Sequence, residues 1–335
     1  MSGEKNTYKI GITHGDFNGI SYEIILKALA DNKLLDICTP VIYGIAKMAE
    51  MHKKNLQIQD FSFQTIKSAN QATQKKNFLV NLSENDIKSQ LGESTSEAGK
   101  YAEMALRMAC DDLKKGDIDA IVTAPINKNN IQSAQFHFPG HTEYLTSAFK
   151  AENSLMMMVS PTVKVAFVTN HLAVHDVAKN ISAELIIKKL QALNKALIGD
   201  FGCTNPKIAV LSLNPHAGDN GLLGNEEQQI ILPAIKDAFD QGIYAFGPYS
   251  SDGLFGSGNY SKFDAVLAMY HDQGMTPFKV LADNEGVNYT AGLPIVRTSP
   301  AHGTGYDIAG KGIADEQSLR SAIYLAIDIL KNRKK

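Results

Sequence analysis

Short apolar runs rich in valine and isoleucine alternate with longer amphipathic stretches along most of this chain, and that alternation admits few folds. A buried strand reads as a short apolar run and the helix that covers it reads with a 3.6-residue period, so the pattern predicts βα units around a mostly parallel sheet. Strands are expected at residues 8–13, 39–43, 120–123, 163–169, 208–213 and 265–269, and helices at 21–30, 94–115, 183–198, 225–241 and 318–331. The polar stretch 57–91 shows weak patterning and is expected to cover surface, with no chemistry assigned to it. At 335 residues the chain exceeds the roughly 250–300 residues that one core serves, so two α/β domains are expected. No Pro/Gly/Ser linker marks a boundary. We place the crossings near Lys128 and Thr298, giving a discontinuous first domain of residues 1–128 plus 298–335 and a second domain of residues 129–297.

Three of the apolar runs end in histidine: Val-Ala-Phe-Val-Thr-Asn-His171, Ile-Ala-Val-Leu-Ser-Leu-Asn-Pro-His216 and Ala-Val-Leu-Ala-Met-Tyr-His271. Ligands of open α/β sheets bind at the carboxyl ends of the strands, so three imidazoles placed there can converge. Neutral imidazoles with open positions left over suit a divalent ion: zinc, cobalt or nickel, or magnesium or manganese with water filling the remaining positions. Taken singly, each reads better as a strand-end histidine satisfied by hydrogen bonds; taken with their neighbours, the balance reverses. His14, His52 and His137 lack such context and are expected to be structural; Asp272, His175 and Asp176 stand beside presumed ligands without further support.

A net charge of −2 gives no electrostatic reason to expect nucleic acid or an anionic membrane as a partner, so an anionic ligand needs a local basic pocket. Cys38, Cys110 and Cys203 are far apart and form no C-x-x-C pair, which argues against a disulfide framework or a thiolate zinc site and for a reduced, cytoplasmic setting. The first residues carry no apolar signal core and no run reaches 18 apolar residues, so neither export nor membrane insertion is expected.

The segment Thr298-Ser-Pro-Ala-His302-Gly303-Thr304-Gly-Tyr-Asp307-Ile-Ala-Gly310-Lys-Gly-Ile-Ala is bounded by glycines, which let backbone N–H groups approach a ligand closely. It resembles the adenosine-binding loop of the isocitrate and isopropylmalate dehydrogenase superfamily. Within that superfamily the chain resembles the 4-hydroxythreonine-4-phosphate dehydrogenase family along nearly its whole length. The matching blocks are Thr123-Ala-Pro-Ile-Asn-Lys128, Phe138-Pro-Gly-His141-Thr142-Glu143, Asn214-Pro-His216-Ala-Gly218, Met269-Tyr-His271-Asp-Gln-Gly274, Lys279, Gly286-Val-Asn288, Gly292-Leu-Pro-Ile-Val-Arg297 and the His302 loop. The resemblance implies an isocitrate/isopropylmalate dehydrogenase-like fold, divalent-metal ligands at His171, His216 and His271, and substrate contacts at His141, Thr142, Lys279, Asn288 and Arg297. It also implies cofactor contacts at Gly303, Thr304, Asp307 and Gly310, with NAD the expected cofactor and NADP left open. A homodimer is implied, with the site at the subunit interface and histidines from both chains.

The implied reaction is metal-dependent oxidation of 4-phosphooxy-L-threonine by NAD, followed by decarboxylation, in vitamin B6 synthesis. The residue types suit it: a divalent cation favours the alkoxide and polarises the ketone, while Lys279 and Arg297 can hold a phosphate. The group that takes the hydroxyl proton stays open between Asp252 and Lys279. Many family members read Gly-Glu/Asp-Pro-x-Gly-Ile-Gly-Pro in the first loop, where this chain reads Gly15-Asp-Phe-Asn-Gly-Ile-Ser-Tyr-Glu23, a departure that changes the turn. A paralogous dehydrogenase of 4-phospho-D-erythronate or a related hydroxy acid is the nearest alternative. A metallohydrolase or a non-catalytic sensor would leave the His302 loop or the Lys279, Asn288 and Arg297 set without purpose.

Overall fold

The computed structural model describes residues 7–59, 61–133 and 136–334. Contacts divide the chain into two units, Met1–Lys150 with Pro294–Leu330 and Ala151–Leu293 with Lys331–Lys335.

The first unit runs β1 (Tyr8–Thr13), α1 (Ser21–Leu29), β2 (Cys38–Gly44), α2 (Ala46–Asn55), β3 (Gln64–Ile66), β4 (Phe78–Asn81), α3 (Ser96–Lys115), β5 (Ala120–Thr123) and α4 (His141–Ala148). The second holds β6 (Leu155–Val159), β7 (Lys164–Phe167), α5 (Val174–Val177), α6 (Ala183–Gly199), β8 (Lys207–Leu211), α7 (Leu232–Asp240), β9 (Tyr244–Tyr249), α8 (Ser251–Gly256), β10 (Ala265–Ala268), α9 (His271–Leu281) and β11 (Val287–Ala291). The chain then returns to the first unit as β12 (Arg297–Pro300) and α10 (Gln317–Asn332).

Strand order in the first unit is β3-β4-β2-β1-β5-β12, every pair parallel. In the second it is β11-β6-β7-β10-β8-β9, where β6 runs antiparallel to both its neighbours and β10 and β8 are parallel to theirs. The expected mostly parallel α/β architecture is therefore present. Its elements form for local reasons. Helix α3, for example, starts where the Thr95 hydroxyl accepts from the Ala98 N–H at 3.2 Å, buries an Ala/Leu/Tyr stripe, and stops at Gly116 in the left-handed conformation.

Two expectations change. The stretch 57–91 supplies β3 and β4 at the edge of the first sheet, and the Gln90 N–H donates to Asn18 Oδ1 at 2.8 Å. β3, the edge strand, is polar and largely exposed, whereas β4 is paired on both sides and buried, and its Phe-Leu-Val run is too short to stand out from the polar stretch around it. The helix expected over 225–241 divides into a wide turn, Glu227–Ile231, and α7, because Pro233 has no N–H to continue the regular ladder.

His14 and His52 are core residues, as expected from their bland context: each stacks on Tyr22, at centroid distances of 5.4 and 5.3 Å, and all three side chains are buried. Burial pushes both imidazoles down from 6.5 to about 4. Between pH 6.5 and 4 the unfolded chain takes up protons that the folded chain refuses, so acid costs stability across that window. Each imidazole should contribute a slope of roughly 1.4 kcal/mol per pH unit there. Urea unfolding as a function of pH should show the sum of the two slopes, and His52→Phe, which keeps the stacking, should remove about half of it.

Candidate active site

In the first unit, β12 lies beside β5 with Arg297 opposite Ile121 and Thr298 opposite Val122. That register carries the Arg297 guanidinium to the end of β5, where Nε and Nη2 both donate to Thr123 Oγ1, at 3.1 and 2.7 Å. Arg297 is 2% exposed. Burial pushes its guanidinium down to about 10, opposed by the Glu143 carboxylate, so it stays charged at neutral pH.

His141 opens α4, and its Nε2 is buried without a hydrogen-bond partner among the described residues. Burial, and then the positive charges of Arg297 and Lys128, hold this imidazole well below its ordinary pKa and keep it neutral. Thr142 follows it in the first turn, half-buried. A buried guanidinium, a neutral imidazole with an open nitrogen and a hydroxyl at a helix start together make a receptor for an anionic oxygen group. Lys128 and Thr123 belong to this cluster although only the block containing them drew attention in the sequence. Arg297 lies 174 residues from Thr123, and strand pairing alone joins them.

In the second unit, β7, β10 and β8 are consecutive, and each delivers one of the three histidines past its carboxyl end. The Val168 and Thr169 N–H groups donate to the Ala268 and Met269 carbonyls at 2.8 and 3.1 Å, so the ends of β7 and β10 stay together. The His171 and His271 rings lie 6.0 Å apart as a result, and Phe167 stacks on His271 at 5.8 Å. His271 Nδ1 sits 2.6 Å from Asp272 Oδ1. With the proton on Nδ1, Nε2 keeps its lone pair for a metal, and Asp272 fixes the ring.

His216 lies in a 3₁₀ segment after β8, and His216 to Asn220 are all left-handed, with φ of 53, 53, 75, 42 and 55°. Such a run is costly for L-residues and needs an anchor. Glu227, 2% exposed, supplies it: Oε1 accepts from the Leu213 and Asn214 N–H groups at 2.8 and 2.7 Å, and Oε2 accepts from Asn214 Nδ2 at 3.0 Å. Sequence reasoning missed Glu227, whose only signal was a carboxylate in the helical stretch after the Asn214-Pro-His216 block.

Among the described residues no group of three or more His, Cys, Asp and Glu side chains is gathered closely enough to hold a metal ion. The imidazoles suit a divalent ion in kind, and a proton on the Asp272-facing Nδ1 would leave His271 Nε2 as the ligating nitrogen. Elsewhere in this unit, Asn288 lies on β11 with a buried Oδ1 that has no hydrogen-bond partner among the described residues. Lys279 is exposed on α9, the helix that His271 opens, and Asp252 is exposed in the first turn of α8. The apolar side chains flanking the histidines are exposed too: Leu172 and Val174 beside His171, Leu222 and Leu223 beyond His216.

The loop after β12 belongs to the first unit. His302 Nδ1 lies 3.0 Å from the Gly303 carbonyl. Gly303 and Asp307 are exposed, and a Cβ at Gly303 would meet nothing within 4 Å, so this backbone is open to an approaching molecule. Thr304 is half-buried and its carbonyl accepts from the Ile20 N–H at 2.9 Å. The Tyr306 hydroxyl donates to Asp16 Oδ2 at 2.7 Å, and burial together with that carboxylate pushes the phenol up to about 12. The segment 15–23, whose wording departs from the family, is wholly buried against this loop. Open backbone with one exposed carboxylate fits the hydroxyls and phosphates of a nucleotide.

Known proteins resemble this chain along nearly its whole length. Residues 36–326 match the family described as pyridoxal phosphate biosynthetic protein PdxA. A 4-hydroxythreonine-4-phosphate dehydrogenase of Bacteroides thetaiotaomicron is 53% identical over 99% of this chain and 91% of its own. An Oceanobacillus iheyensis protein, provisionally named a D-threonate 4-phosphate dehydrogenase, is 42% identical over 96% of this chain and 97% of its own. Among solved structures, 4-hydroxythreonine-4-phosphate dehydrogenase from Klebsiella pneumoniae superposes with a TM-score of 0.84 at 33% identity, covering 96% of this chain and 98% of that one.

Proposed function

The chain belongs to the PdxA family of pyridoxal phosphate biosynthetic proteins, and from that premise we propose that it oxidises 4-phosphooxy-L-threonine with NAD as acceptor. The product, 2-amino-3-oxo-4-phosphooxybutanoate, then loses its carboxylate to give 3-amino-2-oxopropyl phosphate. The observation that carries this reading is the buried Arg297 guanidinium, held by Thr123 beside the neutral His141.

Arg297 supplies a fixed charge and a planar fork for the phosphate, and Thr142 a hydroxyl. His141, uncharged, presents its open nitrogen to a substrate group without adding a second cation. His171, His216 and His271 are the residues that would hold a divalent metal, with Asp272 orienting His271. Gly303, Thr304, Asp307 and Gly310 would hold the dinucleotide. A metal held there would supply Lewis acidity for oxidising the substrate hydroxyl, and a dinucleotide would supply the hydride acceptor. Lys279 and Asn288 are the further substrate contacts, and Asp252 or Lys279 takes the hydroxyl proton. The exposed Leu172, Val174, Leu222 and Leu223 support a homodimer in which the second chain covers the histidine-bearing edge. Cys38, Cys110 and Cys203 are free thiols, which supports a reducing, cytoplasmic setting; among the described residues no helix is long and apolar enough to cross a membrane.

The test is NADH absorbance with 4-phosphooxy-L-threonine and NAD or NADP, with and without prior chelation. Metal-dependent signal supports the full reading. Signal from D-threonate 4-phosphate alone, the substrate in the Oceanobacillus relative's name, or from 4-phospho-D-erythronate alone keeps the mechanism and changes the substrate. Silence from all three removes the proposal.

A further inference from the structure

We propose that the Glu23–Lys27 pair of α1 is a positioning device for the His302 loop, setting its affinity for the dinucleotide without touching it. This rests on the reading of that loop as the cofactor site. Lys27 Nζ lies 2.8 Å from Glu23 Oε1, 2.9 Å from the Gly312 carbonyl and 2.7 Å from the Ala314 carbonyl. An ammonium has three N–H donors, so these three acceptors use all of them and none is left for a ligand. Glu23 completes the clip by accepting the Ala314 N–H at 2.8 Å through the same Oε1. The Glu23 side chain is 2% exposed and that of Lys27 24%, so the pair is partly shielded from water and its charge-assisted bonds are stronger than those of a surface pair.

The loop needs such a clip. Behind Gly310, Lys311 and Gly312 lies a cavity of ≈ 190 Å³, lined also by Glu23, Lys27, His52 and Leu56, in place of close-packed side chains. On that side packing does not locate this stretch; Leu91 approaches Gly310 from elsewhere, and Gly310 and Gly312 have φ of 77 and 71°. The front of the loop is fixed separately, by Ile20 N–H to the Thr304 carbonyl and Tyr306 to Asp16. A Cβ at Gly19 would collide with the Thr304 carbonyl, so α1 and its preceding turn approach the loop at backbone distance. Residues 16–27 thus hold the loop at two places, and the rear one depends on one ammonium and one carboxylate.

Lys27→Met keeps the aliphatic stem and removes the three donors. The KM for NAD, and the Kd for ADP-ribose measured by calorimetry, should both rise on the order of tenfold. The kcat and the KM for the phosphorylated substrate should hold, and Lys27→Arg should recover part of the loss. Amide hydrogen exchange at Lys311 to Ala314 should speed up in Lys27→Met, and in the wild type ADP-ribose should protect residues 302–314.

A merely structural role would lower the unfolding midpoint and leave the KM for NAD unmoved, and that result overturns the proposal. So does a rise in KM without faster exchange at 311–314. If ADP-ribose binds the wild type yet leaves 302–314 unprotected, the cofactor reading fails and takes this inference with it. Protection in the wild type with unchanged affinity in both variants overturns the inference alone. Should Lys27→Met fail to fold, Lys27→Gln serves, read the same way.

Discussion

Arg297→Ala is expected to lower kcat/KM for the phosphorylated substrate by roughly 10²- to 10³-fold, the scale on which truncating one partner of a buried charge pair acts. The loss should appear chiefly in the substrate KM, with the KM for NAD essentially unmoved, because the guanidinium sits at the Thr123 end of β5 and the candidate cofactor contacts lie on the loop after β12. Steady-state kinetics with each substrate varied separately would show the split. Arg297→Lys should recover only part of the activity, since an ammonium cannot reproduce the two donors that Arg297 directs at Thr123. An equal rise in both KM values would remove Arg297 from the substrate site.

His216→Ala should abolish measurable turnover and weaken divalent-metal binding at least about 100-fold, since even residues that only orient a ligand are worth 10- to 100-fold. Metal content after dialysis and the thermal melt should be measured together. The fold should survive, because Glu227 anchors the approach to this turn through the Leu213 and Asn214 N–H groups and makes no use of the imidazole. Alanine keeps the left-handed strain of position 216, roughly 1–2 kcal/mol, without the ligand. His216→Asn, whose side chain tolerates that conformation better, is the control: it should melt no lower than the alanine variant and leave turnover absent. Full activity with unchanged metal content would take His216 out of the site.

Local periodicity made much of the fold legible. The runs at 8–13 and 120–123 became β1 and β5 with those bounds, and the helices that became α1, α3, α6 and α10 were placed to within two residues at each end. Elements that break the valine-isoleucine pattern escaped: β6, which is Leu-Met-Met-Met-Val; β11 and β12, half polar; the polar edge strand β3; and the short β4 beside it. The three histidines were legible because a strand's end is a local property, readable from the apolar run before it.

The companions of those residues were not legible in this way. Nothing in the spacing of Thr123 and Arg297, or of Lys27 and the Gly312 and Ala314 carbonyls, hints that they meet. By itself the sequence determined the valine- and isoleucine-rich strands, the longer helices and which residue types stand at their ends, since the burial pattern of each is written in its own few residues. Only the tertiary structure decided which ends are neighbours, because strand order depends on packing the whole sheet: β12 settles against β5, and α1 lies under the loop that follows β12.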